Sequence, residues 1–279
     1  WQLLRVAQSL HDNRHRSEYS LVCFFDLSKA FDTVWHRGLM AKIASFSIQG
    51  RILRWLESYL CGRSQQVSIS GQLSQPECVC SGVPQGSILG PLLFLMYVND
   101  IGAIPNTSLY ADDTTLLASH RSLPVACQDL QVGIDCVVKW MRRWKLRPNS
   151  AKTEIMCVVP NASSDVAHLQ TFIFHFPDDP TPIPITSRHK HLGVTLDSKL
   201  DWSHHFRNLE KRASSVVGFL YGHIPHISPE CRKTFYHTYV LPIFLYCCVV
   251  WCGAGNGLFA KLEIVHRRIL RAILRLPPE

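Results

Sequence analysis

The sequence lacks a long uninterrupted apolar run. Its longest apolar stretch, from Val240 to Gly255, contains Pro242 and is shorter than the ~20 residues that a membrane-spanning helix needs. No secretory signal precedes the first apolar segment, and no internal repeat or low-complexity block is present. We therefore expect the stretch to lie in a protein core, and we expect no membrane partner.

The cysteine pattern argues against two common structural uses of this residue. Eleven cysteines occur in 279 residues, whereas disulfide frameworks are typical of short secreted domains with an even count. The close pairs are Cys78-x-Cys80 and Cys247-Cys248, so no pair of C-x-x-C knuckles is available to hold a structural zinc ion. We expect a reducing, intracellular compartment.

Acidic residues are outnumbered by basic ones. The chain has 21 Asp and Glu against 29 Lys and Arg, which gives a net charge of +8. Such a balance favours a polyanionic partner, either nucleic acid or an anionic membrane surface. The 47% of hydrophobic residues is ordinary for a globular protein.

The apolar pattern changes its period along the chain, which predicts an α+β fold. The run 21–25 predicts a buried strand. Apolar residues recur at helical spacing from Leu130 to Met141, and the run 92–98, apolar on every face, predicts a buried helix. Residues 161–186 are rich in Pro, Ser and Asp and predict a connection to a second, mainly helical lobe.

Aspartates lie at the ends of two predicted strands. Segment 108–117 predicts a hairpin with Asp112 and Asp113 at its tip, and Asp26 follows the first strand. An isolated Asp-Asp pair is most often a solvated turn, but the apolar flanks weaken that interpretation here. Three carboxylates that converge need positive charge between them, and hard oxygen ligands favour Mg²⁺ or Mn²⁺. Phosphatases and nucleases share such chemistry.

Five ordered motifs make the interpretation specific. Segments 24–32, 82–92, 110–113, 146–154 and 191–197 resemble polymerase motifs A to E of reverse transcriptases, in the form found in non-LTR (LINE/jockey-like) retrotransposons. The order and the spacing of the motifs also match. This resemblance implies the palm of a right-hand polymerase: an antiparallel sheet with packed helices, followed by a helical thumb.

The resemblance implies roles for the acidic residues and for one lysine. Asp26, Asp112 and Asp113 would hold two Mg²⁺ or Mn²⁺ ions, and Lys152 would donate a proton to the departing pyrophosphate or stabilise its charge. For Asp32 we hold two interpretations with equal weight: a direct role, or an acid in the first turn of a helix.

Further residues would contact the substrates. By the resemblance, Phe31 would lie beneath the incoming sugar and select deoxynucleotides, while Gln85 and Gly86 would face template and nucleotide. Leu192 and Gly193 would form the primer grip. The sequence has His191 where relatives more often carry Tyr, and we expect this difference to be tolerated.

A basic cluster interrupted by two aromatic residues suits a surface that follows a nucleic-acid backbone. Two alternatives remain: the basic residues are an ordinary solvent-exposed surface that binds no nucleic acid, and the two tryptophans belong to the protein core. The cluster consists of Lys139, Trp140, Arg142, Arg143, Trp144, Lys145 and Arg147.

The expected protein is a partial palm over residues 1–186, without fingers, followed by the motif E hairpin and a helical thumb region over residues 187–279. The favoured function is RNA-directed DNA polymerase, with an RNA template, a DNA primer or target and dNTPs as partners, acting in the nucleus. The alternative is a catalytically silent or truncated RNA-binding remnant. A two-metal nuclease would explain the carboxylates but neither the motif B loop nor Phe31.

Overall fold

The computed structural model of the chain describes residues 1–160, 172–223 and 227–276. These residues form two compact units. The first unit contains residues 18–155 and 172–185, and the second contains residues 1–17, 156–160 and the described residues from 186 onward. One boundary falls at the predicted palm limit near residue 186, but residues 1–17 and 156–160 of the predicted palm group with the second unit. The palm and thumb assignments stay predictions.

Helices and strands alternate irregularly along the chain, which confirms the α+β class. The elements up to residue 143 are α1 (Gln2–His15), β1 (Tyr19–Phe25), α2 (His36–Ser45), α3 (Gly50–Leu60), β2 (Ser64–Gln65), β3 (Ser68–Ile69), β4 (Gln72–Leu73), β5 (Glu77–Cys78), α4 (Leu89–Val98), a 3₁₀ helix (Asn99–Ala103), β6 (Thr107–Tyr110), β7 (Asp113–His120) and α5 (Leu123–Arg143). The elements that follow are β8 (Glu154–Val158), β9 (Ile185–Thr186), β10 (Arg188–His191), β11 (Val194–Asp197), α6 (Ser203–His223), α7 (Pro229–Phe235), a π-helix (Tyr236–Val240), α8 (Leu241–Leu245), α9 (Cys248–Trp251) and α10 (Asn256–Leu274).

An antiparallel sheet forms the centre of the first unit. All seven residues of β1 are buried, as its apolar sequence predicts. The strand pairs with β7, from Tyr19 opposite His120 to Phe25 opposite Thr114. The other edge of β7 pairs with β6, so the predicted hairpin is confirmed.

Helix α5 packs against β1 and β7. The stripe predicted from its periodicity, which includes Leu130, Ile134 and Met141, is completely buried. Helix α4 differs from its prediction. Phe94 and Tyr97 are buried, but Leu92 is 53% exposed, so burial on every face is wrong. A run that is apolar all round has no amphipathic stripe to indicate which side faces the core.

A buried lysine occupies the space between the helices of the first unit. Lys42 is 6% exposed, and its ammonium group donates to the Tyr97 carbonyl oxygen and to the Asp100 carboxylate. The same Nζ atom lies 3.6 Å from the ring centroid of Trp144 and 4.7 Å from that of Trp140. Both tryptophans thus pack around Lys42, which favours the core interpretation, although each stays partly exposed; their use as stacking partners for bases stays a prediction.

The second unit is mainly helical, as predicted. Helices α6 and α10 pack together. Their shared core is formed by Ala213, Leu220, Val240, Val265, Ile269, Ala272 and Ile273.

One helical stretch of the second unit, Pro229–Trp251, is long and apolar enough to cross a membrane when judged by length and composition alone. Within residues 240–255, which the sequence predicts to be core, Val240, Ile243 and Trp251 are buried, whereas Leu245 is 56% and Val249 66% exposed. The prediction that this region lies in the core is therefore wrong for its outer side. The expectation of no membrane partner stays a prediction.

Residues 161–171 of the predicted connection lie outside the described residues. Residues 172–184 contain turns and an isolated β-bridge between Phe176 and Asp179. All eleven cysteines are described, and each is a free thiol.

Candidate active site

Two aspartates lie at the same end of the central sheet. The antiparallel register places Phe25 of β1 opposite Thr114 of β7. Continuing that register by one residue brings Asp26 level with Asp113. Both residues are partly buried. The strand ends that were predicted separately from the sequence are thus brought side by side.

The turn between β6 and β7 carries the third aspartate. Tyr110 pairs with Asp113, which leaves a two-residue turn of Ala111 and Asp112. Ala111 has a φ of 53°, in the left-handed region that residues with a Cβ atom seldom adopt. Asp112 is exposed at the tip. A solvated turn therefore describes Asp112 but not its partly buried neighbour.

The carboxylate of Asp26 is held by a residue to which the sequence analysis assigned no role. The Nδ2 atom of Asn149 donates to Oδ2 of Asp26 at 2.9 Å. The backbone N–H of Asn149 also donates to the Asp26 carbonyl oxygen at 2.8 Å. Asn149 lies 123 positions away along the chain. Its position inside the motif D resemblance was the only sequence signal that could have found it.

The loop around Asn149 is ordered by its own hydrogen bonds. The buried Thr153 hydroxyl donates to the Asn149 carbonyl oxygen at 2.9 Å, and the Asp26 backbone N–H lies 3.4 Å from the same hydroxyl. Lys152 is exposed between these two residues. The structure thus ties the segment carrying Lys152 to the end of β1.

The donor chemistry at this end of the sheet fits a hard divalent cation. Asp26 keeps Oδ1 available while Asn149 occupies Oδ2, and Asp112 is accessible to solvent. Within the described ranges, however, no three His, Cys, Asp or Glu side chains converge as they would around a bound metal ion. The fit therefore rests on ligand type and strand register, and the carboxylates have to reorient to enclose a cation.

The loops after β1 and before α4 are joined next to this sheet end. Gln85 Nε2 donates to Asp32 Oδ1 at 2.9 Å. Asp32 lies in a turn four residues before α2, whose cap residue Trp35 makes no side-chain capping bond. The interpretation of Asp32 as an acid in the first turn of a helix is therefore wrong.

A cavity of about 680 Å³ opens beside these loops. Its wall is formed by Lys29, Asp32, Arg63, Ser64, Gln65, Cys78, Val79, Cys80, Ser81, Gly82, Val83, Pro84 and Gln85. Gly86 follows the cavity wall with a φ of 77°, a conformation that glycine adopts without strain. The cavity combines two cations, Lys29 and Arg63, with one carboxylate, Asp32, and with many polar groups, and this excess of positive charge suits a phosphate-bearing ligand.

Phe31 lies on the same loop as Asp32. Its ring stacks on the buried ring of Phe94 in α4, with centroids 4.4 Å apart. Phe31 itself is only partly buried. The ring is therefore anchored from one side by the protein core and retains accessible surface.

The β10–β11 hairpin of the second unit has a two-residue turn made of Leu192 and Gly193. Both residues have positive φ angles, 45° and 80°, as a type I′ turn requires. Tyr246 donates its hydroxyl to the Leu192 carbonyl oxygen at 2.8 Å, and a Cβ atom at Gly193 would lie 3.2 Å from the same ring. Tyr246 is thus a second residue that the sequence analysis missed.

His191 precedes that turn and is buried. Burial, followed by the charge of His189, lowers the pKa of His191 to about 4. The ring lies 3.3 Å from the side-chain oxygen of Gln2. The position thus accommodates an uncharged imidazole.

The second unit also carries a basic groove of about 600 Å³. Its lining includes Arg188, His189, Lys190 and His204 and contains no acidic residue. The five basic residues of the cluster predicted from the sequence, Lys139, Arg142, Arg143, Lys145 and Arg147, are exposed on the first unit.

Comparison with known proteins gives consistent matches. The family model described as "Reverse transcriptase (RNA-dependent DNA polymerase)" matches residues 2–207. The probable RNA-directed DNA polymerase from transposon BS of Drosophila melanogaster is 30% identical over 99% of this chain and 31% of that protein. The RNA-directed DNA polymerase from mobile element jockey of the same species is 29% identical over the same shares. The chain thus spans about a third of the length of these relatives.

Solved structures of telomerase are more distant. Apo telomerase from Candida tropicalis has a TM-score of 0.47 and 12% identity, covering 97% of this chain and 50% of that chain. Telomerase from Candida albicans, in complex with a fragment of telomeric RNA, has a TM-score of 0.45 and 12% identity, covering 99% of this chain and 49% of that chain.

Proposed function

This chain belongs to the reverse transcriptase family, and from that membership we propose that it is the core of an RNA-directed DNA polymerase. The resemblance to non-LTR retrotransposon enzymes, first carried by the five motifs, is confirmed by the match to the jockey polymerase. The proposed reaction joins a primer 3′-oxygen to the α-phosphorus of a dNTP and releases pyrophosphate, with RNA as the template. The proposed site of action is the nucleus.

The observation that carries the proposal is the register of β1 and β7, which brings Asp26 level with Asp113. With Asp112 at the adjoining turn, the carboxylates supply hard oxygen ligands for two Mg²⁺ or Mn²⁺ ions. Bound there, such ions would activate the 3′-hydroxyl group and neutralise the triphosphate. Asn149 contributes by donating a hydrogen bond to one carboxylate oxygen of Asp26. This bond orients the Asp26 carboxylate and leaves its other oxygen available to a metal ion.

Other residues have proposed roles in binding. Phe31, supported by Phe94, would exclude a ribose 2′-hydroxyl group. Gln85 and Gly86 would contact nucleotide and template at the cavity wall.

Two proposed roles lie in loops. Lys152 is exposed, so its ammonium group is accessible to a departing pyrophosphate. Leu192 and Gly193 form a turn fixed by Tyr246, which suits a primer grip that holds the 3′ end of a strand.

The second candidate function is RNA binding without catalysis. It is favoured by the absence, within residues 1–160, 172–223 and 227–276, of three side chains already arranged as metal ligands. The basic groove at Arg188 and Lys190 would serve either function, because backbone phosphates bind cations whatever reaction follows.

Primer extension on an RNA template tests the two candidates. The parent chain, Asp112→Ala and Asp129→Asn are compared with dNTPs and Mg²⁺ or Mn²⁺, and RNA binding is recorded in the same samples. Asp129 is an exposed acid on α5, so its variant is matched for the loss of one negative charge. We expect incorporation by the parent and by Asp129→Asn, and none by Asp112→Ala. RNA binding without incorporation by the parent would support the non-catalytic function, and loss of both would contradict both candidates.

A further inference from the structure

The exposed side chain of Gln85 has a hydrogen-bond partner, Asp32, in the free protein. Its Nε2 atom donates to Oδ1 of Asp32 across 53 positions of sequence, at 2.9 Å. Both residues line the cavity of about 680 Å³, together with the cations Lys29 and Arg63. The polar pair therefore lies where a bound nucleotide would contact the protein.

The loop after β1 and the loop before α4 are joined by backbone hydrogen bonds that do not involve the Asp32 carboxylate. The Gly82 N–H donates to the Val34 carbonyl oxygen and the Val83 N–H to that of Phe31, both at 2.8 Å. A Cβ atom at Gly82 would lie 2.8 Å from the Asp32 backbone, so the two chains are in direct contact. Loss of the carboxylate would leave these contacts in place and deprive only the Gln85 amide of its partner.

The chemistry of the pair determines which end of the amide is presented. An ionised carboxylate only accepts hydrogen bonds, so it selects the NH₂ end of the Gln85 amide. The amide oxygen Oε1, at the opposite end of the group, is then available to accept a hydrogen bond from a ligand. An exposed glutamine without a partner would sample both orientations and many rotamers, and binding would have to order it.

We propose that Asp32 is a positioning residue that fixes Gln85 so that its amide oxygen accepts a hydrogen bond from a nucleotide in the cavity. This inference rests on the proposed polymerase function, because that function supplies the nucleotide. Asp32 acts through Gln85 and does not itself touch the reacting atoms.

A double-mutant cycle in dNTP affinity tests the inference without turnover. The full chain is bound to an RNA template with a DNA primer that ends in a dideoxynucleotide, and the dNTP Kd is measured for the parent, Asp32→Ala, Gln85→Ala and the double variant. Each single variant should raise the dNTP Kd by about fivefold, the effect of losing one hydrogen bond between the neutral Gln85 amide oxygen and the nucleotide. The double variant should bind no more weakly than Gln85→Ala alone. Additive effects in the double variant, or an unchanged Kd in Asp32→Ala, would overturn the inference.

A second measurement separates this inference from the proposed function. In ¹⁵N-labelled protein without any ligand, the side-chain amide resonance of Gln85 is identified by its loss in Gln85→Ala. It should shift in Asp32→Ala and remain in place in the control Asp129→Ala. An unchanged resonance in Asp32→Ala would overturn the positioning contact. A resonance that shifts as expected, in a protein that binds no dNTP, would overturn the proposed polymerase function and leave the contact standing.

Discussion

Lys42 offers the sharpest test of the packing in the first unit. Its ammonium group is held by the Tyr97 carbonyl oxygen, the Asp100 carboxylate and the faces of Trp140 and Trp144. Burial lowers the pKa of Lys42, while the hydrogen bond to Asp100 acts in the opposite direction. The group therefore carries a desolvation penalty that its partners must offset.

The structure sets the size of the expected effect. Removing one partner of a buried pair costs about 3–5 kcal/mol. The Asp100 side chain is 49% exposed, so the carboxylate released in Lys42→Ala regains water, which argues for the lower end. We expect Lys42→Ala to lower the free energy of unfolding by about 3 kcal/mol. Lys42→Met breaks the same pair but keeps the length of the side chain between the aromatic rings and leaves no cavity, so it should cost about 1 kcal/mol less than Lys42→Ala.

The assay is urea denaturation of the full chain followed by circular dichroism. Lys139→Ala, which removes an exposed lysine from α5, serves as the control and should change the free energy by less than about 0.5 kcal/mol. The reasoning would be refuted if Lys42→Ala cost no more than this control, or if Lys42→Met cost as much as Lys42→Ala.

Two further predictions concern the site and the second unit. Asn149→Ala should slow primer extension by roughly 10- to 100-fold, because Asp26 loses the hydrogen bond that orients its carboxylate. The Kd for the primer–template should stay unchanged. An unchanged extension rate would contradict the role given to Asn149. Burial lowers the pKa of His191 in the folded chain to about 4. Between pH 6.5 and pH 4, the unfolded chain therefore binds a proton at this residue that the folded chain does not bind. The free energy of unfolding should fall as the pH falls through this range, by up to about 1.4 kcal/mol per pH unit. Urea denaturation from pH 7 to pH 4.5 measures this, and His191→Tyr should show a shallower dependence; equal slopes would contradict it.

The strands that carry the aspartates could be predicted because their signals are local. The run before Asp26 is apolar and rich in β-forming residues, and the hairpin before Asp113 is bounded by its own turn. The stripe on α5 is likewise a local period. Each of these features is determined by neighbours within a few positions.

Features that depend on distant partners could not be predicted in the same way. The bond from Asn149 to Asp26 joins residues 123 positions apart, and Trp144 faces a lysine roughly a hundred positions earlier in the sequence. Composition also fails to indicate the side of a uniformly apolar helix that meets the core, as the exposed Leu92 demonstrates. The proposed roles of the site residues rest on family resemblance, and the structure adds the contacts through which they would act.

The wall of the cavity has a consequence for chemical probes. Cys78 and Cys80 are exposed thiols on that wall, a few residues from Gln85. Exposed thiols react with alkylating and fluorescent reagents more readily than buried ones such as Cys23. The protein thus carries native attachment points at the edge of its proposed nucleotide cavity. A label would be confined to them once the other exposed thiols, Cys61, Cys136, Cys231 and Cys252, are replaced.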